Sequence, residues 1–182
     1  MKKLWLALVA SLAGIGFTGT QIVERIAILK EPGTTLFCDV NSVMSCSNVL
    51  AAWQSSVIFG IPNAFIGAVM FSLFAATTLA AALGSSLSAG YWRTMEFLVV
   101  FFAAFATWFM IQTAFVISAL CLWCTGIITA VGVIGAVFTQ HCAQQGLLGA
   151  RMRAAGAAGI VYTVWAGWYL AVIGLLYIGL AL

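Results

Sequence analysis

The sequence predicts an all-α integral membrane protein, and its composition gives two reasons for this. Hydrophobic residues make up 64% of the 182 residues, whereas charged residues make up only 6%. A soluble domain has about 25% charged residues, so a chain this apolar needs a bilayer around it. The 18 glycines and seven tryptophans point the same way, because glycine lets transmembrane helices pack closely and tryptophan anchors them at the membrane surface.

The first predicted span covers residues 4–23, a run without charged residues. As a helix, such a run is about 30 Å long, which matches the hydrocarbon core of a bilayer. The start of the chain could also be a signal peptide cleaved after Ser11-Leu12-Ala13. The apolar run continues for ten residues beyond that point, so an uncleaved first helix is the preferred interpretation.

Four further spans follow, each about as long as a bilayer is thick. They cover residues 63–84, 97–117, 121–140 and 157–180. Pro62 and Asn63 are typical of a helix start and open the second span. Residues 97–140 are too long for one span and fit two. We therefore expect a single membrane domain over residues 1–182, with a bundle of four helices plus a fifth transmembrane helix.

Basic residues in the loops indicate the orientation of the chain. One side carries five of them: Lys2, Lys3, Arg93, Arg151 and Arg153. The other side carries only Arg25 and Lys30, together with three acidic residues. Because cytoplasmic loops are rich in lysine and arginine, we expect a cytoplasmic N-terminus and an outer loop over residues 24–61. The formal net charge of +3 is too small and too scattered for nucleic-acid binding.

This orientation brings four of the five cysteines to the same outer face. Cys38 and Cys46 lie in the long outer loop, and Cys121 and Cys124 lie where the third and fourth spans meet. Cys142 falls on the inner side, where a reduced and inert thiol is expected. An oxidising compartment on the outer side would let the other four form disulfides.

Three interpretations of the outer cysteines remain open. They could be structural, as two disulfides or as buried thiols. They could bind zinc, although the first pair is separated by seven residues and zinc ligands usually come as Cys-x₂₋₄-Cys pairs. They could be redox-active, because a Cys-x-x-Cys at a helix start favours the thiolate and a second pair lies on a flexible loop. The redox interpretation is favoured; haem attachment is excluded because Thr125 follows Cys124.

Three motifs, taken in order along the chain, resemble the vitamin K epoxide reductase family and in particular its bacterial members. They are Cys-Asp-Val-Asn-Ser-Val-Met-Ser-Cys at residues 38–46, Phe-Gly-Ile-Pro-Asn at residues 59–63, and Cys-Leu-Trp-Cys at residues 121–124. The resemblance covers roughly residues 4–140. It implies a four-helix transmembrane bundle around a quinone, with the loop pair relaying electrons to the Cys-x-x-Cys pair.

The resemblance also assigns roles to the four cysteines. Cys38 and Cys46 would be the shuttle pair, Cys46 would exchange with Cys121, and Cys124 would face the quinone. This order is chemically consistent, because thiol–disulfide exchange proceeds through mixed disulfides. It makes these four residues the candidate catalytic residues.

Three further residues are candidates for accessory roles. Asn63 matches the family's asparagine that hydrogen-bonds a quinone carbonyl, although it could equally cap the second helix. Asp39 matches the family's acidic neighbour of the first loop cysteine, although it could also be a solvated loop charge. Trp53 would lie with Val49 and Val57 on the inward apolar face of a short helix that forms a lid or a plain interfacial linker.

One position departs from the family pattern. Animal members carry a tyrosine that contacts the quinone four residues after the second Cys-x-x-Cys thiol, and this chain has Ile128 there. The difference argues against vitamin K epoxide reduction and coumarin sensitivity. A plain quinone as electron acceptor remains compatible.

The sequence thus predicts a quinone-reducing thiol oxidoreductase of a bacterial inner (cytoplasmic) membrane. The quinone would be of the ubiquinone or menaquinone type, and no metal is expected. Many bacterial members carry a fused thioredoxin-like domain. This chain stops after its fifth span, so the resemblance implies a separate periplasmic thioredoxin-like partner that is oxidised to support disulfide formation.

Two alternatives are weighed against this function. Another bacterial disulfide-generating oxidase family also forms a four-helix quinone protein, but it carries its Cys-x-x-Cys in the first outer loop, the reverse of the order here. A disulfide-stapled membrane protein, such as a transporter subunit or assembly factor, is disfavoured because no buried charge is expected in a span. Glu96 is expected at a helix end beside Arg93.

Overall fold

The computed structural model describes residues 2–31 and 33–181, and it shows a helical bundle. The α-helices of the described residues are α1 (Lys2–Lys30), α2 (Cys46–Ala51), α3 (Asn63–Ala82), α4 (Ala89–Gln112), α5 (Leu122–Gln144), α6 (Ala150–Ala157) and α7 (Ile160–Ala181). A 3₁₀ turn covers Trp53–Ser56, and a π turn covers Thr113–Ile117. Five of these helices are long and apolar enough to cross a membrane: α1, α3, α4 with its π turn, α5 and α7. The predicted fold class is therefore confirmed.

Helix α1 continues to Lys30, beyond residue 23, where we expected the first span to end. Two charged residues in this extension find partners inside the protein. Arg25 donates from Nη1 to the carbonyl oxygen of Leu50 at 2.6 Å, and Glu24 accepts a hydrogen bond from Trp123 Nε1 at 2.9 Å. Because these groups are hydrogen-bonded, they do not have to end the helix.

Local sequence signals account for the ends of α3 and α4. Pro62 precedes the first residue of α3, and Gly84 follows its end with φ of +92°, a conformation that glycine adopts without strain. The side chain of Ser88 caps α4 by accepting a hydrogen bond from the N–H of Tyr91 at 3.2 Å.

Four helices form the bundle that surrounds the site. Helix α1 packs against α3 and α5, and α4 packs against α5. The ring of Phe102 on α4 contacts Phe71 and Phe74 on α3 and closes the bundle. The approach of α1 to α3 is close because Gly67 has no side chain; a Cβ there would lie 2.9 Å from Cγ2 of Thr18.

Helix α7 packs on the outer side of α4 and α5. Trp165 donates from Nε1 to Thr139 Oγ1 on α5, and Trp168 donates from Nε1 to Thr107 Oγ1 on α4, both at 3.0 Å. The ring of Trp165 occupies the space above Gly135, where any Cβ would overlap it. Tryptophan–threonine hydrogen bonds and small residues therefore hold the fifth helix, as is common between transmembrane helices.

Glu96 is buried inside α4, and our expectation that it lies at a helix end beside Arg93 is wrong. Its Oε1 accepts a hydrogen bond from Thr139 Oγ1 at 2.7 Å. Arg93 instead donates from Nε to the carbonyl oxygen of Leu147 at 3.1 Å. Helix α4 starts at Ala89, well before residue 97, where we expected the third span to begin. Glu96 therefore lies two turns inside the helix. A span therefore does contain a buried acidic residue. The expectation that it would not can no longer be used against a disulfide-stapled membrane protein.

Residues 46–57, which we call the lid segment, do not form one continuous helix. Helix α2 ends where Ala52 turns extended, with ψ of 146°, and the 3₁₀ turn follows. Val49 is buried, but Trp53 is 69% exposed. The expected inward face shared by Val49 and Trp53 is therefore wrong, because the break at Ala52 changes the direction of the chain.

Candidate redox site

Cys38, in the loop after α1, and Cys46, at the start of α2, form a disulfide, with their Cα atoms 5.7 Å apart. Both residues are fully buried although the loop is polar. They belong to one apolar cluster that also contains Cys121 and Cys124, whose thiols are free. The structure therefore brings together the four cysteines predicted from the sequence.

Asp39 orders the loop that carries this disulfide. Its carboxylate accepts hydrogen bonds from the N–H groups of Leu36 at 2.7 Å and Ser47 at 3.0 Å, and from the hydroxyl of Ser45 at 3.1 Å. Burial by itself would raise the pKa of Asp39, but these hydrogen bonds outweigh it and lower the pKa below its usual range. Asp39 is thus a partly exposed charge that also anchors the cysteine loop through hydrogen bonds.

A short parallel pairing holds the loop pair next to the Cys-x-x-Cys pair. Met44 is bridged to Leu120. The N–H of Leu120 donates to the carbonyl oxygen of Val43 at 2.6 Å, and the N–H of Ser45 donates to the carbonyl oxygen of Leu120 at 3.1 Å. The residues that follow these two segments are Cys46 and Cys121, so the backbone delivers both cysteines to the same place.

The chain before Cys121 reverses direction through a left-handed residue. The π turn ends at Ser118, which has φ of +53°, a value that is uncommon for residues other than glycine. The extended residues that follow lead into Cys121, which occupies the N-cap position of α5. This places Cys121 at the positive end of the helix dipole, with Cys124 in its first turn, as the sequence predicted.

The pKa of the Cys121 thiol is lowered from its usual value. A hydrogen bond from the Cys124 thiol to the Cys121 sulfur lowers the pKa of Cys121, and this outweighs the burial that would raise it. A thiol with a lowered pKa is a better leaving group in disulfide exchange. Cys121 is therefore the kind of sulfur that leaves readily in disulfide exchange.

Two polar residues of α1 contact the cysteines, and neither was predicted from the sequence. Gln21 lies with Nε2 3.0 Å from Cys124 Sγ and 3.6 Å from Cys121 Sγ. Glu24 lies with its carboxylate oxygens 3.8 and 3.9 Å from Cys38 Sγ. Their spacing of three residues puts them on one face of the helix. Both could have been predicted, because they are polar residues one turn apart at the end of an apolar helix.

Glu24, Cys38 and Cys46 also satisfy the spacing of a three-ligand metal site, with ligand atoms within 4.8 Å of one another. The two sulfurs are bonded to each other here. Metals bind thiolates, and a disulfide provides none. The arrangement in this structure therefore fits redox chemistry.

An apolar cavity lies inside the bundle beside Cys124. Together with the solvent space at its opening, it has a volume of about 710 Å³. Its wall includes Phe102, Phe105 and Phe109 of α4 and Ile127 and Ile128 of α5. Polar groups reach it from α1, through Gln21 and Arg25, and from the start of α3, through Asn63. A mostly apolar cavity with a few convergent polar groups is typical of a small-molecule site.

Asn63 fastens the lid segment to the bundle and does not cap α3. Its Nδ2 donates to the carbonyl oxygen of Gln54 at 2.7 Å, and its Oδ1 accepts from the N–H of Val57 at 3.3 Å. A cap would accept from an N–H of its own helix, so the capping interpretation is wrong. The amide has two N–H groups, and a single hydrogen bond from Nδ2 is found among the described residues.

Arg25 joins the lid segment to the bundle from the other side. Its bond to the Leu50 carbonyl oxygen uses Nη1, while its Nε is buried without a hydrogen-bond partner among the described residues. Leu50 and Ser55 of the lid segment line the cavity. The lid segment therefore forms part of the cavity wall and is hydrogen-bonded to two side chains, Arg25 and Asn63, that also line the cavity.

Cys142 is remote from this site. It lies on α5 eighteen residues after Cys124, a separation of about 27 Å along a helix. It is buried, and its sulfur lies 3.7 Å from the carbonyl oxygen of Trp92. The position agrees with an inert thiol outside the relay.

The chain was compared with family models and with curated proteins. A family model described as Vitamin K epoxide reductase family matches residues 5–139. A search of curated proteins finds no match. The matched region contains all four cysteines of the site and Asn63, whereas α7 lies beyond it.

Proposed function

Because this chain belongs to the vitamin K epoxide reductase family, a membrane family with cysteine redox chemistry, we propose that it is a quinone-dependent thiol:disulfide oxidoreductase. It would oxidise a thioredoxin-like dithiol protein and pass the electrons to a membrane quinone. The observation that carries this proposal is the position of Cys124. Its sulfur belongs to the buried cysteine cluster and also lines the apolar cavity.

The order of the cysteines supports a relay that runs from the outer loop inwards. The Cys38–Cys46 disulfide would receive electrons from the dithiol partner. Cys46 would then exchange with Cys121, because the pairing of Met44 with Leu120 keeps the two segments together. The electrons would finally reside on Cys121 and Cys124, at the cavity wall.

The residues around the cavity fit a quinone. A bound quinone supplies an acceptor for two electrons and two protons. The free N–H of Asn63 and the unpartnered Nε of Arg25 could donate to its carbonyl oxygens, since both side chains line the cavity. The phenylalanines of α4 could pack against its ring. Ile128 also lines the cavity and brings no hydroxyl group, which favours a plain quinone over an epoxide.

Enzyme and partner would meet at the outer face of a bacterial cytoplasmic membrane. The excess of lysine and arginine on the opposite side supports this orientation. Phe37, Trp53 and Phe59 are exposed aromatic residues of the segment between α1 and α3. They offer contacts to a membrane surface or to a thioredoxin-like protein.

Quinone reduction by the purified protein tests the proposal. The protein is mixed with a reduced thioredoxin-like dithiol protein and a soluble ubiquinone or menaquinone analogue, and quinone absorbance is followed. We expect turnover by the wild type and by Cys142→Ala, and background rates with Cys124→Ala. The two variants form a matched pair, since both remove a buried thiol from α5. Turnover by Cys124→Ala at the wild-type rate would refute the proposal.

A further inference from the structure

The carboxylate of Glu24 lies between the two cysteine pairs. Its oxygens are 3.8 and 3.9 Å from Cys38 Sγ, within the reach of a hydrogen bond from a thiol. Its Oε1 accepts a hydrogen bond at 2.9 Å from the indole of Trp123, which lies between the two cysteines of the Cys-x-x-Cys pair. One carboxylate on a rigid helix thus contacts the loop pair and the neighbour of the other pair.

A disulfide sulfur carries no proton. Glu24 can therefore accept a proton from Cys38 only when the loop pair is reduced. Cys38 is then a buried thiol, and a buried thiol ionises poorly by itself. The thiolate is the form that reacts. A proton acceptor next to Cys38 is therefore what the reduced loop needs.

We propose that Glu24 is the base that removes the proton from the Cys38 thiol as the loop disulfide re-forms. This inference rests on the proposed relay and adds to it a residue that contacts a reacting sulfur atom. Trp123 holds the carboxylate in position through its indole N–H. Trp123 is therefore a positioning residue.

The step can be written with atoms and electrons balanced. The Cys46 thiolate attacks Cys121 of an oxidised Cys-x-x-Cys pair, which forms the Cys46–Cys121 bond and breaks the Cys121–Cys124 bond. Glu24 takes the proton of Cys38, the Cys38 thiolate attacks Cys46, and Cys121 leaves as a thiolate. The loop pair loses two electrons and the one proton that Cys38 carried, because Cys46 enters as a thiolate. The Cys-x-x-Cys pair gains the two electrons and, through Glu24, that proton, so it ends as one thiol and one thiolate, and Glu24 is again a carboxylate.

The other titratable groups that face Glu24 belong to the loop and to α5. They are Cys38, Cys46 and Asp39 of the loop segment and Cys121 and Cys124 of α5. Asp39 holds three hydrogen bonds of the loop backbone and side chains. On α1 itself the neighbour is Arg25, whose guanidinium donates to Leu50. Glu24 is the carboxylate within reach of Cys38 Sγ among the described residues.

Closure of the loop disulfide tests the proposal without any quinone. In a Cys121→Ala, Cys124→Ala, Cys142→Ala background, only Cys38 and Cys46 can react. The reduced protein is mixed with glutathione disulfide, quenched with acid at set times and analysed by mass spectrometry. The conversion of the glutathione-bound loop into the Cys38–Cys46 disulfide reports the attack by Cys38.

We expect Glu24→Gln to slow this conversion at pH 6.5 by about 10²-fold or more, the usual contribution of a general base. The deficit should shrink as the pH rises to 9, because a growing fraction of the Cys38 thiol then ionises without a base. An unchanged rate would overturn the proposal. A deficit of equal size at both pH values would overturn it too, because that result indicates a purely structural role.

Two further variants keep the test decisive. Glu24→Asp keeps a carboxylate and should be at least tenfold faster than Glu24→Gln at pH 6.5; equal rates would count against the proposal. Glu31→Gln removes a carboxylate that is exposed just beyond the end of α1 and should behave as the wild type. The readout is independent of quinone. Failure of the wild type to reduce a quinone would therefore disprove the proposed function and leave this test intact.

Discussion

The amide nitrogen of Gln21 lies 3.0 Å from the sulfur of Cys124. The two residues are far apart in sequence, on α1 and α5, and both line the cavity. An N–H that points at a sulfur stabilises the thiolate over the neutral thiol. The first helix therefore takes part in the chemistry of the Cys-x-x-Cys pair, which the sequence places entirely in the fourth span.

Gln21→Leu removes this donor and keeps the approximate size of the side chain. Hydrogen bonds to charged groups contribute about 1.5–3 kcal/mol, so we expect turnover with dithiol and quinone to fall about ten- to a hundredfold. Quinone absorbance measures the effect. Gln144→Leu, an exposed glutamine at the far end of α5, is the control and should retain wild-type turnover. Full activity of Gln21→Leu would show that the contact is incidental.

Cys38→Ala should trap a disulfide between Cys46 and Cys121. The backbone pairing of Met44 with Leu120 keeps these two cysteines together, and the variant lacks the thiol that would release Cys121. Mass spectrometry of digested, alkylated protein after oxidation by quinone identifies the linked peptides. Detection of a Cys121–Cys124 bridge alone would contradict the relay.

Asn63→Asp should impair quinone reduction far more than exchange between the cysteine pairs. Aspartate can still accept from Val57, but it has no N–H for Gln54 or for a carbonyl in the cavity. Loss of a preorganised donor typically costs about 10²–10³ in turnover. Quinone absorbance and acid-quenched exchange measure the two steps separately.

A matched control exists for this substitution. Asn41 lies in the outer loop, where its Oδ1 accepts from the N–H groups of Val43 and Met44, a role that aspartate can fill. Asn41→Asp should therefore reduce quinone at nearly the wild-type rate. Equal turnover by Asn63→Asp and the wild type would mean that other groups hold the quinone.

The order of the cysteine loop should depend on pH through Asp39. Hydrogen bonds lower the pKa of this carboxyl in the folded protein, so the carboxylate form stabilises the loop. The contribution is present above the unfolded pKa of about 3.9 and is lost as the pH falls through the lower, folded pKa. Hydrogen exchange of residues 33–47 between pH 3 and 7, corrected for intrinsic rates, should show protection disappearing at the acid end.

Asp39→Asn provides the comparison. It lacks the charge that the N–H groups of Leu36 and Ser47 stabilise, so its protection at pH 7 should be weaker and nearly independent of pH. Glu31→Gln should keep the wild-type profile. The same profile in Asp39→Asn as in the wild type would rule out Asp39 as the titrating group.

The orientation in the membrane can be read from two introduced cysteines. Thr35 lies exposed in the outer loop, and Ser86 lies exposed between α3 and α4. In a Cys142→Ala background, a membrane-impermeant maleimide added to intact cells should label Thr35→Cys and spare Ser86→Cys. Permeabilised cells should show labelling of both. Labelling of Ser86→Cys in intact cells would reverse the proposed orientation.

The fold class and the grouping of the cysteines could be predicted because both depend on simple patterns. Long apolar runs predict spans, and the parity of the spans brings Cys38, Cys46, Cys121 and Cys124 to one face whatever the helix packing is. Those predictions need no knowledge of which helices touch. To these two predictions the structure adds which of the helices α1, α3, α4 and α5 pack against one another.

The roles of Gln21, Glu24 and Asn63 could not be predicted in the same way. Each depends on a partner that is distant along the chain: Gln21 on Cys124, Glu24 on Trp123, and Asn63 on the lid segment. Charged residues usually mark the end of a span, so Glu24 was assigned to the loop. In the structure it accepts a hydrogen bond from Trp123, and α1 continues past it.

Gln21 and Glu24 belong to the same continuous helix, α1, so their positions relative to each other stay constant. Cys124 also belongs to a helix, whereas Cys38 belongs to a loop. If the loop swings, the distance from Glu24 to Cys38 changes, but the distance from Gln21 to Cys124 stays the same. The two half-reactions can consequently be gated independently: a displaced loop would stop the entry of electrons while the inner thiols keep their geometry.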